Sequence, residues 1–108
     1  MSMASDEGEV LRAAWEGADL ERPLDGEDPE SRSLADAQHW IGVYHQLVQL
    51  EQEMLDVLAR VIPSMPDEAQ KEAEVTNLPV LASQIERFKH RLAYWQQRRD
   101  ELSARQPR

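Results

Sequence analysis

No cysteine occurs in the 108 residues. That excludes disulfides, thiolate metal sites and cysteine nucleophiles. The four glycines, Gly8, Gly17, Gly26 and Gly42, are too scattered to form a phosphate-cradling loop. None of the serines, Ser2, Ser5, Ser31, Ser33, Ser64, Ser83 and Ser103, lies in a Gly-x-Ser-x-Gly turn. No Glu is followed by His three residues on, the pair that di-iron bundles project inward. Asp36/His39 and Glu86/His90 come nearest, and periodicity puts His39, Glu86 and His90 on solvated faces. No apolar run approaches the ~18–20 residues of a membrane span. The acidic first thirty residues lack the basic start and apolar middle of a secretory signal. The expectation is a cytoplasmic protein with no membrane contact, no metal and no cofactor. Lysine is scarce, two against ten arginines, a compositional sign of a GC-rich bacterial genome.

The formal charge of −9 is unevenly spread. Residues 1–37 carry −8, residues 38–84 carry −5, and residues 85–108 carry +4. Nucleic-acid affinity comes from neutralising phosphates, so a chain this acidic is a poor general binder. The basic end holds Arg87, Lys89, Arg91, Arg98 and Arg99 among the aromatics Phe88, Tyr94 and Trp95. A core stripe with a solvated basic face accounts for that pattern. Nucleic-acid binding through the basic face is the alternative.

The chain is organised around residues 34–62. Leu34, Ala37, Ile41, Tyr44, Val48, Leu55, Leu58 and Ile62 form one helical stripe. Trp40, Val43, Leu47, Leu50, Met54, Val57 and Val61 form a second beside it. Together they make an apolar arc of about 160°, too wide for a single neighbour. Ser33 with Asp36 marks the start as a variant capping box, and Pro63 and Pro66 mark the end. Glu51 falls within the first stripe. It reads as an edge carboxylate paired with Arg91 or Arg98, or as a buried register-setting or ligand contact.

The short link 63–66 predicts an antiparallel return helix over 67–103. Ser64 is a candidate cap for it, and Asp67 and Glu68 suit its positive end. Pro79 predicts a kink or short break. From there Leu78, Leu81, Ile85, Phe88, Leu92, Trp95 and Leu102 keep a heptad that only Arg99 interrupts. Residues 105–108 should fray.

Residues 1–32 read as a largely disordered acidic tail. Within it, residues 6–20 have the makings of a short helix. Asp6 and Glu9 resemble a capping box, and Val10, Leu11, Ala14, Trp15 and Ala18 share a face. Residues 21–32, with Pro23, Pro29 and Gly26 among many acids, read as an extended, mobile linker.

The expected fold is all-α, an antiparallel helical hairpin domain over 33–104 with coiled-coil-like packing. Half of the first helix's arc is left over. The segment around Trp15, a second copy completing a four-helix bundle, or another protein would cover it. The expected function is a non-enzymatic protein–protein interaction module, a small bacterial regulatory or adaptor protein and homodimer. Val10, Leu11, Trp15, Trp40, Leu47, Leu50 and Met54 would make its contacts. A ligand- or metal-binding bundle around Glu51, Tyr44 and Trp40 is the competing reading.

Overall fold

The computed structural model describes residues 19–105. Among them every regular element is helical. Helix α1 spans Leu34–Val61, α2 spans Asp67–Glu72 and α3 spans Leu78–Arg105. The dominant packing is α1 against α3, the expected antiparallel hairpin.

Ser33 opens α1 in an extended conformation, and its side chain accepts the Asp36 N–H at 3.2 Å. Asp36 does not reach back to close a capping box. It accepts the Ser31 hydroxyl at 2.6 Å, and Ser31 Oγ in turn accepts the Ser33 N–H at 3.2 Å. At 28 residues, α1 is about 42 Å long. A single 3-10 turn, Ile62–Ser64, holds Pro63 and reverses the chain. Ser64 does not cap the return helix as expected. Its hydroxyl donates backwards to the Val61 carbonyl at 2.9 Å, and Pro66 occupies the cap of α2.

No gap opens at Pro79. Between α2 and α3 the backbone widens into a π turn, Ala73–Asn77, and the Leu78 N–H bonds to the Ala73 carbonyl. Proline lacks the N–H of a regular turn and its ring crowds the carbonyl four residues back. The wide turn just before Pro79 interrupts the α-helical pattern at the expected place, and helical backbone continues on both sides of it.

The core is concentrated in the half of the hairpin near the start of α1, here the proximal half. Ala37, Tyr44, Phe88, Trp95 and Leu102 are buried in one cluster. Leu34, Trp40, Ile41, Leu47, Val48 and Leu92 flank it. Tyr44 and Phe88 meet across the helices with ring centroids 5.9 Å apart. Towards the 62–66 turn the buried set thins to Ile62, Ala73 and Ile85.

The largest departure from expectation lies before α1. Residues 19–33 are not an extended linker. They fold into successive turns that lie across α3 as a strap. Asp19 and Asp28 each accept an N–H two residues on, from Glu21 at 3.2 Å and from Glu30 at 3.0 Å. Leu24–Glu27 forms a turn closed by Glu27 N–H to Leu24 carbonyl at 3.1 Å. Its third residue, Gly26, sits at φ +83°, where side chains are strained and glycine is not. The prolines and acids that suggest a linker are here turn formers.

Candidate functional site

Two features stand out, a buried carboxylate that fastens the strap and an open groove beyond the strap's end. The carboxylate is Glu27. Its Oε1 accepts from the Tyr44 hydroxyl and from the Leu24 N–H at 2.9 Å. Its Oε2 accepts from the Arg91 guanidinium and from the Trp95 indole N–H at 2.6 Å. Four donors thus converge on one fully buried side chain, and Arg91, only 1% exposed, supplies the countercharge. Burial alone would raise the Glu27 pKa. The bonds from Arg91, Tyr44, the Leu24 amide and Trp95 outweigh it and hold the carboxyl below its usual range. Tyr44 moves the other way: burial and the bond to Glu27 push its phenol up to about 12.

The rest of the strap follows the same face of α3. Arg98 donates to the Ser31 carbonyl at 3.3 Å and the Glu30 carbonyl at 3.5 Å. Tyr94 donates to the Pro29 carbonyl. His90 bonds Glu21 at 2.5 Å. Residues 91, 94 and 98 are three and four apart, so they project from one side of a helix. Leu24 adds an apolar contact to the core cluster.

These contacts redraw the expected basic face. Arg87 and Arg91 are buried, Arg98 is engaged by the strap, and only Lys89 and Arg99 remain substantially exposed. The five do not form a solvated surface. Arg87 lies over the Phe88 ring at 4.8 Å. Burial, followed by the nearby Arg22, lowers its pKa. The expected pairing of Glu51 with Arg91 or Arg98 is also replaced. Tyr44 lies opposite Phe88, so the antiparallel register carries Glu51 towards the turn, away from Arg91. Glu51 Oε2 is buried with no hydrogen-bond partner among the described residues, and burial raises its pKa.

Tyr44, Trp40 and Glu51 do not assemble a ligand site. The Tyr44 hydroxyl is taken by Glu27, Trp40 packs at the core's edge, and Glu51 is two turns further along α1. No group of three His, Asp or Glu side chains suited to a metal occurs among the described residues. No helix there is long and apolar enough to cross a membrane.

The groove occupies the distal half, beside the 62–66 turn. It has a volume of about 700 Å³ and is lined on α1 by Leu50, Glu53, Met54, Val57, Leu58 and Val61. Asn77, Val80 and Leu81 line its other wall. Leu50 is 52% exposed, Met54 and Val57 47% each, and Val61 41%. These four are the distal part of the second apolar stripe. Its proximal part, Trp40, Val43 and Leu47, is partly buried. Of the residues expected to make partner contacts, the structure therefore exposes Leu50 and Met54 and partly buries Trp40 and Leu47. Val10, Leu11 and Trp15 lie outside the described residues.

The sequence pattern signals the groove, because the second stripe needs a neighbour. The Glu27 anchor is missed. Its one signal is the row Arg87, Arg91, Tyr94 and Arg98 beside the apolar heptad, a set of donors too close to the core to be left without acceptors. Compared with family models, with curated proteins and with solved structures, the chain matches none.

Proposed function

We propose that the protein is a non-enzymatic interaction module whose distal groove receives a short amphipathic helix from a partner protein. The observation that carries this is the open stripe Leu50, Met54, Val57 and Val61 facing Val80 and Leu81 across a groove. An apolar channel between two helices suits the i, i+3, i+4, i+7 anchors of a docked helix. Exposed apolar surface of this kind marks interaction sites more often than chemistry. From Leu50 to Val61 the groove wall runs about 16 Å, at 1.5 Å per residue. That length takes a helix of three turns. The strap lies across α3 in the proximal half, so a helix laid along the whole hairpin on that face would meet it. Glu53 is the single charged residue of the lining among the described residues, which favours a basic residue at the edge of the incoming helix. In this reading the chain acts as a small cytoplasmic adaptor.

A peptide-display selection against the full chain tests the proposal. Selected peptides should carry apolar residues at helical spacing and shift the methyl resonances of Met54, Val57 and Leu81. Met54→Asp should abolish their binding while leaving helical circular dichroism intact. Peptides without helical spacing, or binding unaffected by Met54→Asp, would overturn the groove as the docking site. A chain that elutes as a dimer through the groove, and releases peptide-binding surface only on dilution, would instead assign it to a second copy.

A further inference from the structure

The strap has a direction, and that direction points towards the groove. Followed from α1 back towards the start of the chain, its contacts descend α3. Ser31 meets Arg98, Pro29 meets Tyr94, Glu27 meets Trp95 and Arg91, and Glu21 meets His90. Asp19, the first described residue, is close enough to Arg87 to act on its charge. From Arg87 to Asn77, which lines the groove, is ten residues of helical rise, about 15 Å.

The chain preceding Asp19 matches that gap in length and chemistry. Residues 9–18 would span about 15 Å as a helix. Val10, Leu11, Ala14, Trp15 and Ala18 would present one apolar face, and Asp6 with Glu9 a capping start. Arg12, between Glu9 and Glu16, is the one base of this segment, and Glu53 is the one acid among the described residues of the groove lining. Tethering keeps the segment at high effective concentration, so even a weak docking contact is populated.

We propose that residues 9–18 of the same chain are the groove's resident occupant, seated by Val10, Leu11 and Trp15, and that a partner helix must displace them. The competition rests on the groove being the docking site described above. The seat itself follows from where the strap ends. The module is then self-masked: the segment covers Leu50, Met54, Val57 and Val61 until a better helix competes.

The absence of cysteine allows a single-site label. A nitroxide on Ala13→Cys in the full chain, on the polar side of the segment, should cause several-fold loss of the Met54, Val57 and Leu81 methyl signals, recovered on reduction of the label. Trp15→Asp, or independently Val57→Asp, should restore them in the oxidised sample. Methyl signals indifferent to the label would overturn the proposal. So would broadening seen only when label and isotope sit on different molecules, which assigns the groove to another copy's segment. Displayed peptides should also bind Trp15→Asp several-fold more tightly than the wild-type chain. A seated segment that no selected peptide displaces would keep the occupant and sink the adaptor reading. Peptide binding with an unseated segment would do the reverse.

Discussion

The two halves of the hairpin are made of the same pair of helices, yet one is covered and the other open. The proximal half holds all the described aromatic residues, Trp40, Tyr44, Phe88, Tyr94 and Trp95, and the strap lies across it. The distal half is aliphatic. Its side-chain hydrogen bonds, from Gln52, Ser64, Gln70 and Thr76, all stay within four residues of their donors. The second apolar stripe of α1 runs through both halves without change. The difference is set on α3, where Arg87, Arg91, Tyr94 and Arg98 give way to Asn77, Val80 and Leu81. The first row offers donors to a polar segment, and the second is apolar but for Asn77. What lies over a helix is thus decided by its neighbour's flanking row as much as by its own stripe.

Removing the anchor of the covered half should have the largest effect. Glu27→Ala leaves buried Arg91 with only the exposed Glu21 carboxylate, 4.0 Å away, and should cost about 3–5 kcal/mol of unfolding free energy in urea. Met54→Ala in the open half should cost under about 1 kcal/mol, because the side chain is half exposed. Equal losses would show that the strap contributes nothing to the core. The anchor also carries a pH signature. The folded pKa of Glu27 is depressed, so its contribution is complete above the unfolded value near 4.5 and is lost as pH falls through the folded value. The wild-type chain should lose stability in acid below pH 4.5, and the loss should be smaller in Glu27→Ala.

Two glycines sharpen the comparison at the next level. An added Cβ would meet nothing within 4 Å at either Gly26 or Gly42, so only backbone conformation separates them. Gly26→Ala forces a side chain into the left-handed region and should destabilise by about 1–2 kcal/mol. Gly42→Ala, in the middle of α1, should stabilise by about 0.5–1 kcal/mol. Thermal midpoints moving in opposite directions would confirm that the strap's turn and the helix are both formed as described.

A comparably small effect belongs to Glu51. Its folded pKa is raised, so its ionised form opposes folding once pH rises through that value. Glu51→Gln should therefore stabilise by roughly 0.5–1 kcal/mol at neutral pH, with the gain vanishing in acid. A neutral-pH loss on the same substitution would mean that the carboxylate has a partner after all.

Much of the hairpin is legible in the sequence, because apolar spacing and prolines act locally. The stripes of α1, the Ser33 cap, the Pro63 reversal and the heptad from Leu78 each follow from a few neighbouring residues. The strap is not legible for the opposite reason. It holds one core-contacting apolar residue, Leu24, and is fastened by polar bonds to residues more than sixty positions away. Locally it has the composition of a linker. The groove stands between these cases. Its apolar stripe is plain from Leu50 to Val61, but the extent of cover over its other end depends on Glu27 finding Arg91.

That dependence has a consequence for the order in which the protein is made. Glu27 and Arg91 are 64 residues apart. At a synthesis rate of about 5–20 residues per second, the carboxylate precedes its countercharge by roughly 3–13 s. Through that interval Glu27 must stay in water, and α1 must carry its Trp40 and Tyr44 face with neither α3 nor strap to cover it. The strap is made before the helix it fastens to and cannot close until α3 has followed. The proximal half therefore stays unsealed until the chain is made through Arg98.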